Sequence, residues 1–148
     1  MRNLLIATLL CLCIASCKKT ETVEPELQLN TFTFGDDIYS ATEFSQSLHW
    51  EDSTGMGISF SFLNASKPAG VYQVSNYSGG TDSTYVMVSF MHKSANGIRL
   101  YSTAEERANP KLTVSYDSDG KILISMPKIW VSGPGDSVQI SAYLKEGL

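Results

Sequence analysis

Residues 111–124 read KLTVSYDSDGKILI. In the first half, Leu112, Val114 and Tyr116 alternate with Thr113 and Ser115. Apolar side chains at every second position lie on one face of an extended strand, and the polar ones lie on the other. The second half, ILI, starts another strand, and Ser118-Asp119-Gly120-Lys121 between them is a tight-turn sequence. The stretch therefore predicts a β-hairpin that buries one face and leaves the other wet, the pattern of an antiparallel sheet.

The same period continues in both directions. GISFSFL, 57–63, sets Ile58, Phe60 and Phe62 against Ser59 and Ser61; SVQISAYL, 137–144, sets Val138, Ile140, Ala142 and Leu144 against Gln139, Ser141 and Tyr143. TYVMVSFMH, 84–92, is apolar on both faces, which predicts a central strand or one with a covered outer face. Turn signals separate these runs: ANGI at 95–98, SGGT at 78–81 and DSTG at 52–55. In 102–110, Thr103 and Glu106 have capping-box spacing and Pro110 follows, so one short helical turn is expected there. Eight or nine strands result. The fold class is all-β: an antiparallel meander forming a two-sheet β-sandwich or a small barrel, with a lipocalin-like barrel as the alternative.

All three cysteines, Cys11, Cys13 and Cys17, fall in CLCIASC, 11–17. Before them come Arg2 and an apolar run from Leu4 to Ala15, too short for the ~20 residues of a membrane-spanning helix. A positive start, an apolar middle and a small-residue end form a signal peptide. Its last residues, Ile14, Ala15, Ser16 and Cys17, resemble the lipobox of bacterial lipoproteins. That resemblance implies cleavage before Cys17 and acylation of its thiol and new amine. Only a thiolate is nucleophilic enough to take the lipid, and small residues admit the peptidase. The expected organisation is a signal peptide over 1–16, a lipidated Cys17 with a charged, Pro25-containing tether over 17–29, and one all-β domain over 30–148. The domain then contains no thiol and depends on its apolar core.

The SCKK start and acidic tether look like those of small Bacteroidota lipoproteins. FTFGDDIYSATEF, 32–44, GVYQV, 70–74, and SDGKILI, 118–124, occur in the order found in members of that group with uncharacterised all-β domains. The resemblance implies a lipid anchor in the outer membrane, on its periplasmic side or at the cell surface, and brings no known activity. In the same group, Asp followed by Ser or Thr and a small or aliphatic residue marks O-glycosylation. The matching acceptors here are Ser53, Ser83 and Ser137.

Removing the signal takes only Arg2 from the 11 basic residues, leaving ten against 15 acidic ones and a formal charge of −5. An acidic domain does not suit nucleic acid or anionic lipid headgroups. No catalytic constellation is expected: His49 lies near Glu51 and Asp52 but follows no nucleophile motif, and His92 stands alone. Two distant histidines make no metal site, and Asp117-Ser118-Asp119-Gly120 lacks the further oxygens of a calcium loop. Asp36-Asp37 and Glu105-Glu106 are neighbours that point to opposite faces. Trp50, beside His49 at a strand end, is the candidate ligand-binding residue, as a stacking platform for a sugar ring. The expectation is a non-enzymatic binding module without cofactor. It would be held by membrane lipid through Cys17 and would recognise a glycan or an envelope protein. The alternative is a carrier of a small apolar ligand.

Overall fold

The computed structural model describes residues 26–45, 47–63, 66–75, 84–104 and 110–147. Among them are eleven strands and no helix: β1 (Thr31–Phe34), β2 (Asp37–Ser40), β3 (Glu43–Ser45), β4 (His49–Glu51), β5 (Gly57–Phe62), β6 (Gly70–Val74), β7 (Tyr85–Ser94), β8 (Gly97–Thr103), β9 (Lys111–Tyr116), β10 (Ile122–Ser132) and β11 (Ser137–Lys145). The alternating runs all become strands. The additional short ones, β2, β3 and β4, have three or four residues each, too few to carry a period-two signature.

One hydrogen-bonded network runs β2-β1-β11-β10-β9-β6-β7-β5-β4-β3, and β8 bridges β7 to β10. The strands β7, β6, β9, β10 and β8 therefore close into a ring, a small barrel core. Two wings extend from it: β11, β1 and β2 beyond β10, and β5, β4 and β3 beyond β7. Pairing is antiparallel except between β6 and β7, where Gln73 and Val74 lie parallel to Tyr85 and Val86. β5 lies antiparallel along β7, and β6 joins β7 through this short parallel contact. The strand predicted to be central, β7, has β5, β6 and β8 as neighbours.

The wings face each other across one apolar core. Phe34 of β1 stacks on Phe90 of β7 at 4.9 Å between ring centres, and Phe32 meets the same ring edge-on at 5.8 Å. Trp50, Phe60, Ile58, Ile124, Ile140 and Leu144 fill the interior with essentially no exposed surface. Each such side chain contributes roughly 1.5–3 kcal/mol of burial. The short link Ala41–Thr42 ties the wings together: Ala41 N–H donates to Asn30 and Thr42 N–H to Glu51, at 2.8 and 2.9 Å. Asn30 adopts φ +62°, which asparagine tolerates better than most residues, and its Oδ1 also accepts Lys145 N–H.

The turns follow the residues. Asp52 accepts three bonds through Oδ1, from the N–H groups of Thr54 and Met56 and the Thr54 hydroxyl, and Gly55 takes φ +85° to close the β4–β5 hairpin. Asp117 does the same between β9 and β10, accepting the N–H groups of Asp119 and Lys121, with Gly120 at φ +74°. In the β7–β8 hairpin Gly97 lies opposite Ser94 at φ +115°, so the two-residue loop is Ala95-Asn96 and not Asn96-Gly97. The SGGT turn and residues 105–109 of the expected helical turn lie outside the described residues. Thr103 itself ends β8, and its hydroxyl points to the Val88 carbonyl.

Candidate functional site: a hydroxyl-lined cleft

Strand alternation puts the second side-chain set of β1, β11, β10 and β9 on the outside of one wing. The register aligns Thr31, Tyr143, Ser125 and Thr113 in one row across these four strands. In the next row Thr33 lies opposite Ser141. Beyond Ser141 the ladder breaks: Met126 pairs with Ala142 and Ile129 with Ile140, so Pro127 and Lys128 together oppose the single Ser141. This is a β-bulge, a position where proline is tolerated because no ladder bond is lost. Both bulged residues are exposed and stand as a wall beside the hydroxyl rows.

The result is a cleft of ≈ 820 Å³ on the outer face, which Glu26, Leu27, Asp36 and the exposed Ile38 also line. At its floor the Thr33 and Ser141 hydroxyls lie 2.8 Å apart, and Thr33 Oγ1 also accepts Ser141 N–H. Both residues are almost fully buried, at 6% and 5% exposure. Above them Thr113, Ser115 and Ser125 are exposed and Tyr143 is half-buried. Lys111 and Lys128 line the cleft together with Glu26 and Asp36, so charges of both signs are present. A floor of short, fixed hydroxyls below a layer of accessible ones can donate to and accept from a ligand at several points. Sequence reasoning did not single these residues out. The sequence carries no local signal for them, because outward Ser and Thr look alike on any wet strand face.

Trp50 requires correction. It is 0% exposed, it packs against Phe44 and Phe60, and its Nε1–H donates to the Lys145 carbonyl at 2.9 Å. A sugar ring has no access to it. Although β4 is short, β3 and β5 flank it on both sides, so its inward residue is central to the core. Of the proposed acceptors, Ser53 is exposed in the β4–β5 turn, and Ser137 starts β11 with its hydroxyl 2.9 Å from that of Ser132. Ser83 and the anchor residues Ile14, Ala15, Ser16 and Cys17 lie outside the described residues, as does most of the 17–29 tether.

A second polar cluster lies on the other wing. His49 Nδ1 is 2.7 Å from the Ser59 hydroxyl, and Nε2 is 3.2 Å from Glu51 Oε2. The His49 ring lies over Gly57, where a Cβ would come within 2.6 Å of Cε1. The order of contacts is the reverse of a hydrolytic triad, in which Nε2 faces the serine and Nδ1 the acid. Ser59 sits mid-strand, paired with His49 on one side and Ser89 on the other. Neighbouring N–H groups are committed to the ladders and are not free to hold an oxyanion. His92 stacks on Phe34 at 4.7 Å, and its buried Nδ1 has no hydrogen-bond partner among the described residues. Among the described residues, no group of three or more potential ligands is placed to hold a metal ion, and no helix is long and apolar enough to cross a membrane.

Comparison of the chain with protein-family models, curated proteins and solved structures found no match.

Proposed function

We propose that this protein is a membrane-anchored lipoprotein of the outer membrane whose β domain is a non-enzymatic binding module for an envelope component. The observation that carries this reading is the outer cleft beside a core of large buried side chains, which favours recognition on the outer surface of the domain. The lipid on Cys17 supplies attachment. Two or more acyl chains hold a protein stably where one does not. Confinement to a surface raises the effective concentration of the cleft toward neighbouring envelope molecules. The Ser59–His49–Glu51 cluster is a structural cross-strand network in this reading, and Ser53, Ser83 and Ser137 are acceptors for sugar.

The test is intact-mass measurement of the protein gently extracted from its own membrane. The expected mass corresponds to a chain starting at Cys17 plus acyl groups. Hexose-type increments should disappear on replacing Ser53, Ser83 and Ser137 together. An unacylated mature mass would overturn the anchor. A tightly retained small apolar molecule would put the carrier in place of the surface module.

A further inference from the structure

Building on the binding-module reading, we infer that the cleft takes a neutral polyhydroxylated chain, that is, a glycan strand, laid across β11, β10 and β9. The first reason is hydrogen-bond capacity. Thr33 and Ser141 satisfy each other. Above them, the side chains of Thr113, Ser115, Ser125 and Tyr143 make no hydrogen bond within the described residues, and all four line the cleft. A hydroxyl both donates and accepts, and its best partners do the same. Sugar hydroxyls meet that requirement at every position.

Charge supplies the second reason. An anionic ligand calls for clustered cations or free backbone N–H groups. Here Lys111 and Lys128 line the cleft together with Glu26 and Asp36, so charges of both signs are present and the cations are matched by an equal number of carboxylates. A peptide strand is disfavoured on different grounds. Such ligands add to sheet edges through main-chain bonds, whereas β11, β10 and β9 are paired on both sides. Only side chains are available on this face. Cross-strand neighbours stand about 4.7–4.9 Å apart, so Ser125 and Thr113 lie side by side in one row with the longer Tyr143 next to them. The Tyr143 ring and Pro127 supply apolar surface for the C–H faces of sugar rings.

The experiment is affinity electrophoresis of the detergent-solubilised full chain through gels containing dextran, mannan, galactan or a soluble β-glucan. Retardation by at least one polysaccharide is expected. A Thr113→Val, Ser125→Ala double variant should bind that polysaccharide about tenfold more weakly, since two hydrogen bonds are removed. A Ser61→Ala control, at an exposed position on β5 of the other wing, should bind as the unaltered chain does. Both substitutions in the cleft are at exposed positions, and an unchanged melting temperature verifies that the fold is kept. No retardation in any gel overturns the inference, as does equal retardation of the double variant. A photo-crosslinker placed at Ser115 in the intact envelope separates this failure from that of the parent reading. A saccharide adduct supports both, a protein adduct removes the glycan and leaves the binding module, and no adduct at all removes both.

Discussion

Trp50 shows how one side chain can join distant parts of the chain. Its ring fills the space between Phe44 and Phe60, and its indole N–H satisfies the Lys145 carbonyl at the end of β11. Replacing it removes apolar contact and leaves a carbonyl without its donor. Trp50→Ala should destabilise the domain by about 3–5 kcal/mol, measured by urea unfolding. Trp50→Phe, which keeps most of the volume but not the donor, should cost about 1–3 kcal/mol. A glycan bound in the cleft of the other wing should protect both variants against unfolding as it does the unaltered chain, because Trp50 does not touch the cleft. If Trp50→Phe instead abolished polysaccharide retardation with an unchanged unfolding midpoint, the burial described here would be wrong.

At the scale of elements, the β9–β10 hairpin is held at its turn by charge as well as backbone. The Lys145 ammonium lies 2.6 Å from Asp117 Oδ2, while Oδ1 accepts two backbone N–H groups. The hydrogen bond to Lys145, followed by the backbone donors, lowers the Asp117 carboxyl below its ordinary value; the same partner raises the Lys145 ammonium. A depressed carboxyl stabilises the fold above the usual carboxylate range, and that contribution is lost as the pH falls through its lowered value. The raised ammonium stabilises below its ordinary value and loses its contribution as the pH rises through the raised one. Asp117→Asn should therefore lower the melting temperature near neutral pH, and the gap from the unaltered protein should close in acid. Thermal melts from pH 7 down to pH 2 measure this. A gap that stays constant across the series would mean that Asp117 acts only through its backbone bonds. The turn itself was legible from Ser118-Asp119-Gly120-Lys121. Its partner was not, because Lys145 lies at the far end of β11 and only the strand register brings it there.

Considered as a whole, the molecule depends on its last strand. β11 lies between β1 and β10, so the first strand of the domain is attached through the last. Ending the chain at Asp136 would strip the pairing partner from β1, remove Ile140, Ala142 and Leu144 from the core, and delete Ser141 and Tyr143 from the cleft. Such a truncation should show no cooperative unfolding transition by circular dichroism. A truncated chain that still melted in one sharp step would show that the five-stranded ring and the β5–β4–β3 wing fold without β11. The ring itself rests on a small contact, Val131 and Ser132 of β10 against Thr103 and Ser102 of β8.

What the sequence determined by itself is local. Period-two alternation in residues 57–63, 111–116 and 137–144 identified strands and their inward faces, since a strand's geometry follows from its own residues. Asp52, Gly55, Asp117 and Gly120 marked turns, because their side chains or dihedral freedom act within a few residues. Tertiary structure decided everything that depends on which strand lies beside which. Pairing on both sides of β4 buried Trp50, and the parallel position of β6 closed the ring. The bulge at Pro127 and Lys128, set against the Thr33 and Ser141 hydroxyls, turned an ordinary wet sheet face into a cleft. A serine or threonine pointing out of a strand has the same local pattern whether it faces bulk water or a ligand. The difference lies in neighbours that are over a hundred residues away in the chain.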